Sequence, residues 1–232
     1  PLYVIDLEDV QQPKIVGELE VTGYSSYLQP IGDNLLFAVG HEVALNPRTE
    51  DAVTNDSTTN STADMAEPAI ATNENGVKVV LFDVSEPSDP VELGKKVFEG
   101  GYSPAEHNYH ALTSLQVSDS HYRFSLPIQQ RQPGYWQNGR YIGGDTATQL
   151  ALFNVDSNAY SLEQQGVMSL DPKANQVLHG NYNDRSILHG DVIYYLHGNA
   201  VWQSSWQNPD IVNALFILIE NLIVPIPGVL KL

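Results

Sequence analysis

The residues best suited to chemistry in this chain are its histidines, of which His107 and His110 lie closest together. On a strand, a spacing of three places two side chains on opposite faces. In a loop the two imidazoles can share a metal ion, but a metal site needs further ligands that the sequence does not place. We therefore expect His110 to open a strand and to hydrogen-bond neighbouring turns. Both histidines are kept as candidate binding residues, and the metal question stays open.

A second candidate site is the glycine-rich segment 129–147, which contains Tyr135, Trp136 and Tyr141. Exposed aromatic side chains offer flat, rigid contact area to proteins or sugars. The alternative is that these rings pack against the body of the protein, and for Trp136 both interpretations stand. Trp202 is expected to pack. All three residues of the segment are predicted binding residues.

No catalytic motif accompanies these residues. The chain has no Gly-x-Ser-x-Gly elbow, no P-loop and no dinucleotide-binding glycine motif after a strand. Asp51, Asp56 and Asp64 lack the spacing of a calcium-binding loop, and a mobile acidic loop is the preferred interpretation. Cysteine is absent, which excludes disulfides and thiolate chemistry. No catalytic residue and no cofactor are predicted.

Charge narrows the class of partner. The sequence has 28 acidic and 11 basic side chains and a formal net charge of −17. Such a surface repels phosphate backbones, so nucleic-acid binding is excluded. The ordinary reason for this charge is solubility in a salty or extracellular medium, and cation capture is the alternative.

Two repeated units must position the candidate residues. The segments 2–7, 79–84 and 150–155 are apolar strands that end near Asp6, Asp83 and Asn154, and each leads into a polar turn and a second strand. The segments 27–37 and 185–195 both read as strand, Gly-Asp turn, strand, and 110–126 fills the same place. Together they predict four-stranded antiparallel units, the blades of a propeller.

The intervals between repeats exceed the roughly 40–50 residues of a propeller blade, so they must contain insertions. The Thr- and Asn-rich segment 42–76 is expected to behave as a disordered insertion, and 129–147 as an ordered aromatic loop. Residues 209–232 form an apolar tail that is too short and proline-interrupted for a membrane helix. We expect this tail to be buried in the domain or against another chain.

With the repeats laid out, the chain resembles bacterial secreted proteins with a C-terminal β-propeller domain, distantly related to WD40 propellers. The resemblance covers most of residues 1–208, and it rests on the segments 2–7, 23–28, 30–34, 81–85 and 110–112. It implies a propeller and a secreted, periplasmic or envelope location. The family has no established activity, so it implies no catalytic residues.

The sequence therefore predicts an all-β partial propeller of about two and a half to three blades, fewer than the usual four to eight. Its open sides are expected to contact the N-terminal part of the parent chain or a second copy. The predicted function is non-enzymatic binding or scaffolding, with an unknown protein or carbohydrate at the cell envelope as ligand. The alternative is a hydrolase or lyase with its active site at the propeller channel.

Overall fold

The computed structural model describes residues 1–45, 72–131, 135–144, 146–170, 183–198, 200–219 and 222–225. Regular structure in these ranges is almost entirely antiparallel β, which confirms the predicted fold class. The exceptions are two short 3-10 helices, Pro104–Glu106 and Tyr109–Ala111. No helix in the described ranges is long and apolar enough to cross a membrane.

The chain opens with a two-stranded hairpin, followed by the first complete sheet. The hairpin pairs β1 (Leu2–Asp6) with β2 (Lys14–Leu19). Sheet one contains, in spatial and chain order, β3 (Tyr24–Ile31), β4 (Leu35–Leu45), β5 (Thr72–Asp83) and β6 (Val91–Glu99). Consecutive antiparallel strands of this kind form one propeller blade.

Sheet two repeats this arrangement with one additional short strand. Its strands are β7 (Gly101–Tyr102), β8 (Thr113–Gln116), β9 (His121–Arg131), β12 (Thr146–Asp156) and β13 (Ser161–Ser169). Both β7 and β8 pair with one edge of β9, whose other edge pairs with β12. Between β9 and β12 the chain forms a separate small hairpin of β10 (Tyr135–Gln137) and β11 (Arg140–Ile142).

Sheet three includes part of the segment that the sequence assigns to an apolar tail. Its strands, in order, are β14 (Arg185–His189), β15 (Val192–His197), β16 (Ala200–Ser205), β17 (Asn213–Ile219) and β18 (Leu222–Pro225). Because β17 pairs with β16, it is the fourth strand of this blade. Residues 213–219 and 222–225 thus belong to the sheet and do not form a separate tail.

The predicted insertion 42–76 is shorter than expected. β4 continues to Leu45 and β5 begins at Thr72, and these additional residues pair with each other. Residues 46–71, with Asp51, Asp56 and Asp64, lie outside the described residues. The hairpin between β4 and β5 therefore extends beyond the other strands of sheet one.

The aspartates that end the repeated strands have a common structural role. The Oδ1 atoms of Asp6, Asp83 and Asp156 each accept a hydrogen bond from the backbone N–H two residues later, at 2.8 to 2.9 Å. These Asx turns reverse the chain after β1, β5 and β12. The prediction of Asn154 as the third member was wrong by two positions, because β12 continues to Asp156. By this equivalence, β1 and β2 correspond to the third and fourth strands of a blade.

Sheets one and two each pack both faces against neighbouring strands, as the blades of a propeller do. On β12, Phe153 and Val155 contact sheet one, whereas Leu150 and Leu152 contact sheet three. This alternation follows from the two-residue repeat of a strand. At the centre of the first interface, the rings of Phe37 and Phe124 stack at 3.9 Å.

The connections between strands divide between two ends of the sheets. At one end, here called the turn end, short turns span 32–34, 84–90, 117–120, 157–160 and 190–191. At the opposite end, called the loop end, the connection 100–112 starts and the hairpin 135–142 lies. The strands that flank residues 46–71 and 171–182, which are outside the described residues, also end there. Antiparallel order imposes this division, because every second connection falls at the same end.

Candidate ligand-binding face

The five candidate binding residues belong to two connections that start at the loop end. Tyr135, Trp136 and Tyr141 belong to the β10–β11 hairpin, between β9 and β12. His107 and His110 lie in the connection from sheet one to sheet two. The aromatic candidates therefore lie at the loop end, whereas Tyr109, the neighbour of His110, stacks on Tyr27 in the middle of β3.

The aromatic hairpin is an ordered projection with exposed rings. Trp136 is 73% exposed, and Tyr135 and Tyr141 are 56% exposed. Trp136 pairs with Tyr141 across the two strands, and their rings meet edge to face at 5.6 Å. Of the two interpretations of Trp136, exposure is therefore the one observed. A paired, exposed indole and phenol form a ready contact surface for a ligand.

A tight turn that the sequence analysis missed forms this hairpin. Asn138 and Gly139 connect β10 to β11 with φ angles of 51° and 75°. Two successive positive φ angles define a type I′ turn, for which Asn-Gly is the preferred sequence. The Asn-Gly pair was the signal that could have predicted the hairpin.

The connection between sheets one and two is held by a buried capping box. Ser103 Oγ accepts from Ala105 N and donates to Pro127 O at 2.7 Å, while Glu106 Oε1 accepts from Ser103 N at 2.9 Å. Ser103 and Glu106 are both buried. The histidines that follow are thus displayed by a segment anchored to sheet two.

The expected role of His110 was wrong. It lies in the 3-10 helix Tyr109–Ala111, and β8 begins only at Thr113. Its ring lies 4.1 Å from that of Tyr109, and the backbone folds as a helix because Asn108 Oδ1 accepts from His110 N. His107 lies against Tyr102, with 6.1 Å between the rings. In the described ranges, no group of three or more potential metal-ligating side chains includes these histidines.

Two other histidines, which the sequence analysis did not select, are buried against carboxylates. His41 Nδ1 lies 2.7 Å from Glu106 Oε2, which connects β4 to the capping box. His197 Nδ1 lies 2.9 Å from Asp184 Oδ2, and Asp184 also accepts from the Tyr195 hydroxyl at 2.6 Å. Burial, together with the Asp184 charge, raises the pKa of Tyr195 well above its ordinary value. These contacts join residues distant in sequence, so no local pattern announces them.

A third polar cluster lies beside a cavity of about 490 Å³ lined by residues 20–24 and Val43. Lys78 is 1% exposed and donates to the Thr22 carbonyl, and Lys95 Nζ lies 3.1 Å from Glu42 Oε2. Burial lowers the pKa of Lys78, against the opposing charge of Glu42. Burial alone would raise the pKa of Glu42, but the Thr22 hydroxyl and both lysines hold it below its ordinary value. These contacts hold the segment between the first hairpin and sheet one against the strands of sheet one.

The remaining tryptophans pack. Trp206 is buried and donates from Nε1 to Asn154 Oδ1 at 3.1 Å, while Arg123 lies over its ring at 4.8 Å. Trp202 packs against the core between sheets two and three, as predicted.

The exposed side chains of β8 and β14 include Ser114, Gln116 and Ile187.

Comparison with known proteins agrees with this architecture. The family model described as a β-propeller domain matches residues 1–208, and the chain belongs to this family. The sheets that the match covers are therefore blades of a β-propeller. Propeller domains generally bind or scaffold other molecules.

Two curated archaeal relatives, both described as uncharacterised proteins, match part of the chain. One, from Methanocaldococcus jannaschii, is 32% identical over 112 residues, which are 48% of this chain and 13% of the relative. Another, from Archaeoglobus fulgidus, is 30% identical over 130 residues, which are 56% of this chain and 16% of the relative. The chain thus matches a small part of each relative. No solved structure shows a significant match.

Proposed function

We propose that this protein is a non-enzymatic binding or scaffolding propeller that acts at the cell envelope or outside the cell. Its ligand, a protein or a carbohydrate of the envelope, binds at the loop end. The observation that carries this proposal is the exposed Trp136–Tyr141 pair on an ordered hairpin. Rigid aromatic side chains bind with little loss of conformational entropy. The net charge of −17 favours solubility in a salty medium, which supports a function at the envelope or outside the cell.

A binding measurement with paired variants tests this function. The purified protein is mixed with isolated cell envelopes from the organism that encodes it, and the bound fraction is measured by sedimentation. Trp136→Ala is expected to weaken binding about tenfold, because it removes a central aromatic contact. Ile211→Ala is the control, since Ile211 is also an exposed apolar residue (62%) but lies at the turn end. Equal binding by wild type and both variants would overturn the proposal.

We also propose that further strands cover the β1–β2 hairpin, supplied by the N-terminal part of the parent chain or by a second copy. β5 and β12 pair on both edges, whereas their equivalent β1 pairs only with β2 among the described strands. The outer face of the hairpin exposes Tyr3, Ile5 and Ile15. An open edge beside apolar side chains favours strand addition. Light scattering over a concentration series should show association of the isolated chain, and a monomer at all concentrations would contradict a second copy.

A further inference from the structure

A groove at the loop end separates sheets one and two. It encloses about 390 Å³ between β6 on one side and β9, β12 and β13 on the other. This volume lies within the usual range for small-molecule sites. Its polar lining consists of Lys96, Glu99, Gln130, Gln149 and Gln164.

The glutamines lie where the core between the two sheets reaches the surface. Gln130 continues the face of β9 on which Leu126 and Ile128 are fully buried. Gln149 likewise continues the face of β12 that bears Ala151 and Phe153. Side chains at alternate positions of a strand share one face. One continuous interface is therefore dry and apolar at its centre and amide-lined at the loop end.

The amides of the groove keep hydrogen-bonding capacity for a ligand. Gln130 Nε2 donates to Glu99 O at 2.8 Å, and Gln130 Oε1 lies 3.5 Å from Gln149 Nε2. These contacts orient Gln130, and no hydrogen bond from a described residue occupies the Gln149 carbonyl oxygen. Gln164, on β13 of the same wall, adds a further amide. Each amide offers both donors and an acceptor, the combination that hydroxyl groups require.

The charges of the groove balance, unlike those of the chain. Lys96 and Glu99 are its charged side chains, one of each sign, whereas the whole sequence has a net charge of −17. Lys96 Nζ also lies 6.0 Å from the centre of the Phe98 ring. A balanced site favours an uncharged ligand over an anion or a cation, because neither sign of charge gains a net Coulombic attraction.

The aromatic hairpin rises from the two strands that line the groove. Gln130 pairs with Ala147, and the next pair, Arg131 with Thr146, is the last before the hairpin. Trp136 and Tyr141 follow within a few residues, with their rings exposed. The apolar faces of sugar rings stack on such aromatic side chains, while amides bind their hydroxyl groups. The amides of the groove and the exposed rings of the hairpin between β9 and β12 are the two kinds of side chain that bind a sugar.

We infer that this groove and the adjoining hairpin form a binding site for a neutral carbohydrate of about one to three sugar units. The inference deepens the function proposed above and rests on it. Gln149 and Gln164 bind hydroxyl groups inside the groove, and Trp136 stacks on a ring at its mouth. A neutral glycan of the envelope and a free oligosaccharide share this chemistry.

An array of neutral glucose, galactose, mannose and N-acetylglucosamine oligosaccharides is the direct probe. The best ligand on the array is then titrated by calorimetry against the wild type and three variants. Gln149→Leu and Trp136→Ala should each weaken binding about tenfold, the equivalent of one hydrogen bond or stacking contact. Gln12→Leu is the matched control, because Gln12 is exposed at the turn that joins β1 to β2. Far-ultraviolet circular dichroism of each variant verifies its fold.

The outcomes separate this inference from the proposed function. If no array sugar binds while Trp136→Ala still weakens envelope binding, the carbohydrate inference fails and the proposed function stands. Sugar binding that is unchanged in Gln149→Leu overturns the groove as its location. If the best array sugar also displaces the protein from isolated envelopes, the ligand is an envelope glycan, whereas sugar binding without displacement identifies a free oligosaccharide.

Discussion

The turn end and the loop end of the sheets differ in how the sequence uses them. At the turn end, the same short elements recur: an Asx turn after β1, β5 and β12, and a Gly-Asp turn after β3 and β14. At the loop end, the described connections 100–112 and 135–142 differ from each other, and the exposed aromatic rings and the buried His–carboxylate pairs lie there. The repeats therefore build the scaffold, whereas the unrepeated residues carry what is particular to this protein.

The largest effect on stability is expected in the apolar core between the sheets, which lies between the turn end and the loop end. Phe37→Ala removes a ring that stacks on Phe124 between sheets one and two, and it should lower the free energy of unfolding by about 3–5 kcal/mol. Trp136→Ala should change stability by less than about 0.5 kcal/mol, because the ring is exposed. Urea denaturation measures both. A Trp136 variant less stable than the Phe37 variant would contradict the division between scaffold and binding surface.

A smaller effect is expected from the buried aspartate of the loop end. Asp184→Ala leaves the Tyr195 hydroxyl and the His197 imidazole buried without their carboxylate, at a cost of about 2–3 kcal/mol. The control is Asp191→Ala at the turn end, where the carboxylate is exposed and pairs with Arg123 at 2.8 Å. An exposed ion pair contributes about 0–1 kcal/mol. Equal midpoints of thermal unfolding for the two variants would show that burial does not distinguish these aspartates.

The smallest effect is expected in how the contribution of Glu42 to the free energy of unfolding depends on pH. The pKa of Glu42 is lower in the folded protein than its ordinary value of 4.5. Its contribution to stability is therefore complete above the ordinary value and is lost as pH falls through the folded pKa. Glu42→Gln should destabilise the protein at pH 7, and the difference from wild type should shrink toward pH 3. Urea titrations at several pH values test this, with the exposed turn-end variant Glu86→Gln as the control for net charge.

A constant difference between wild type and Glu42→Gln from pH 7 to pH 3 would contradict that assignment.

Lys78 gives an independent measurement, since its pKa is lowered by burial. The unfolded chain then binds the proton more tightly than the folded one. Stability should rise with pH between the lowered folded pKa and the ordinary value of 10.5, and Lys78→Met should remove this rise.

Local pattern was sufficient to predict the repeated strands and the turns that join them. It failed where a contact joins distant residues. His41 and Glu106 are 65 positions apart, and no spacing rule connects them. It also failed for His110, because Asn108 accepts from the backbone of His110 and favours a helical turn over an early start of β8.

The sequence by itself determined the all-β class, the repeated hairpins and the aspartate-ended strands, because turn residues and alternating apolar residues act locally. Only the tertiary structure decided which face each side chain occupies. The two Gly-Asp hairpins align Phe37 with Tyr195, yet the first turn has three residues and the other has two. By strand pairing, Tyr195 corresponds to Ala38, and both face the preceding blade. A shift of one residue exchanges the two faces of a strand, so side-chain neighbours depend on the register of the whole sheet.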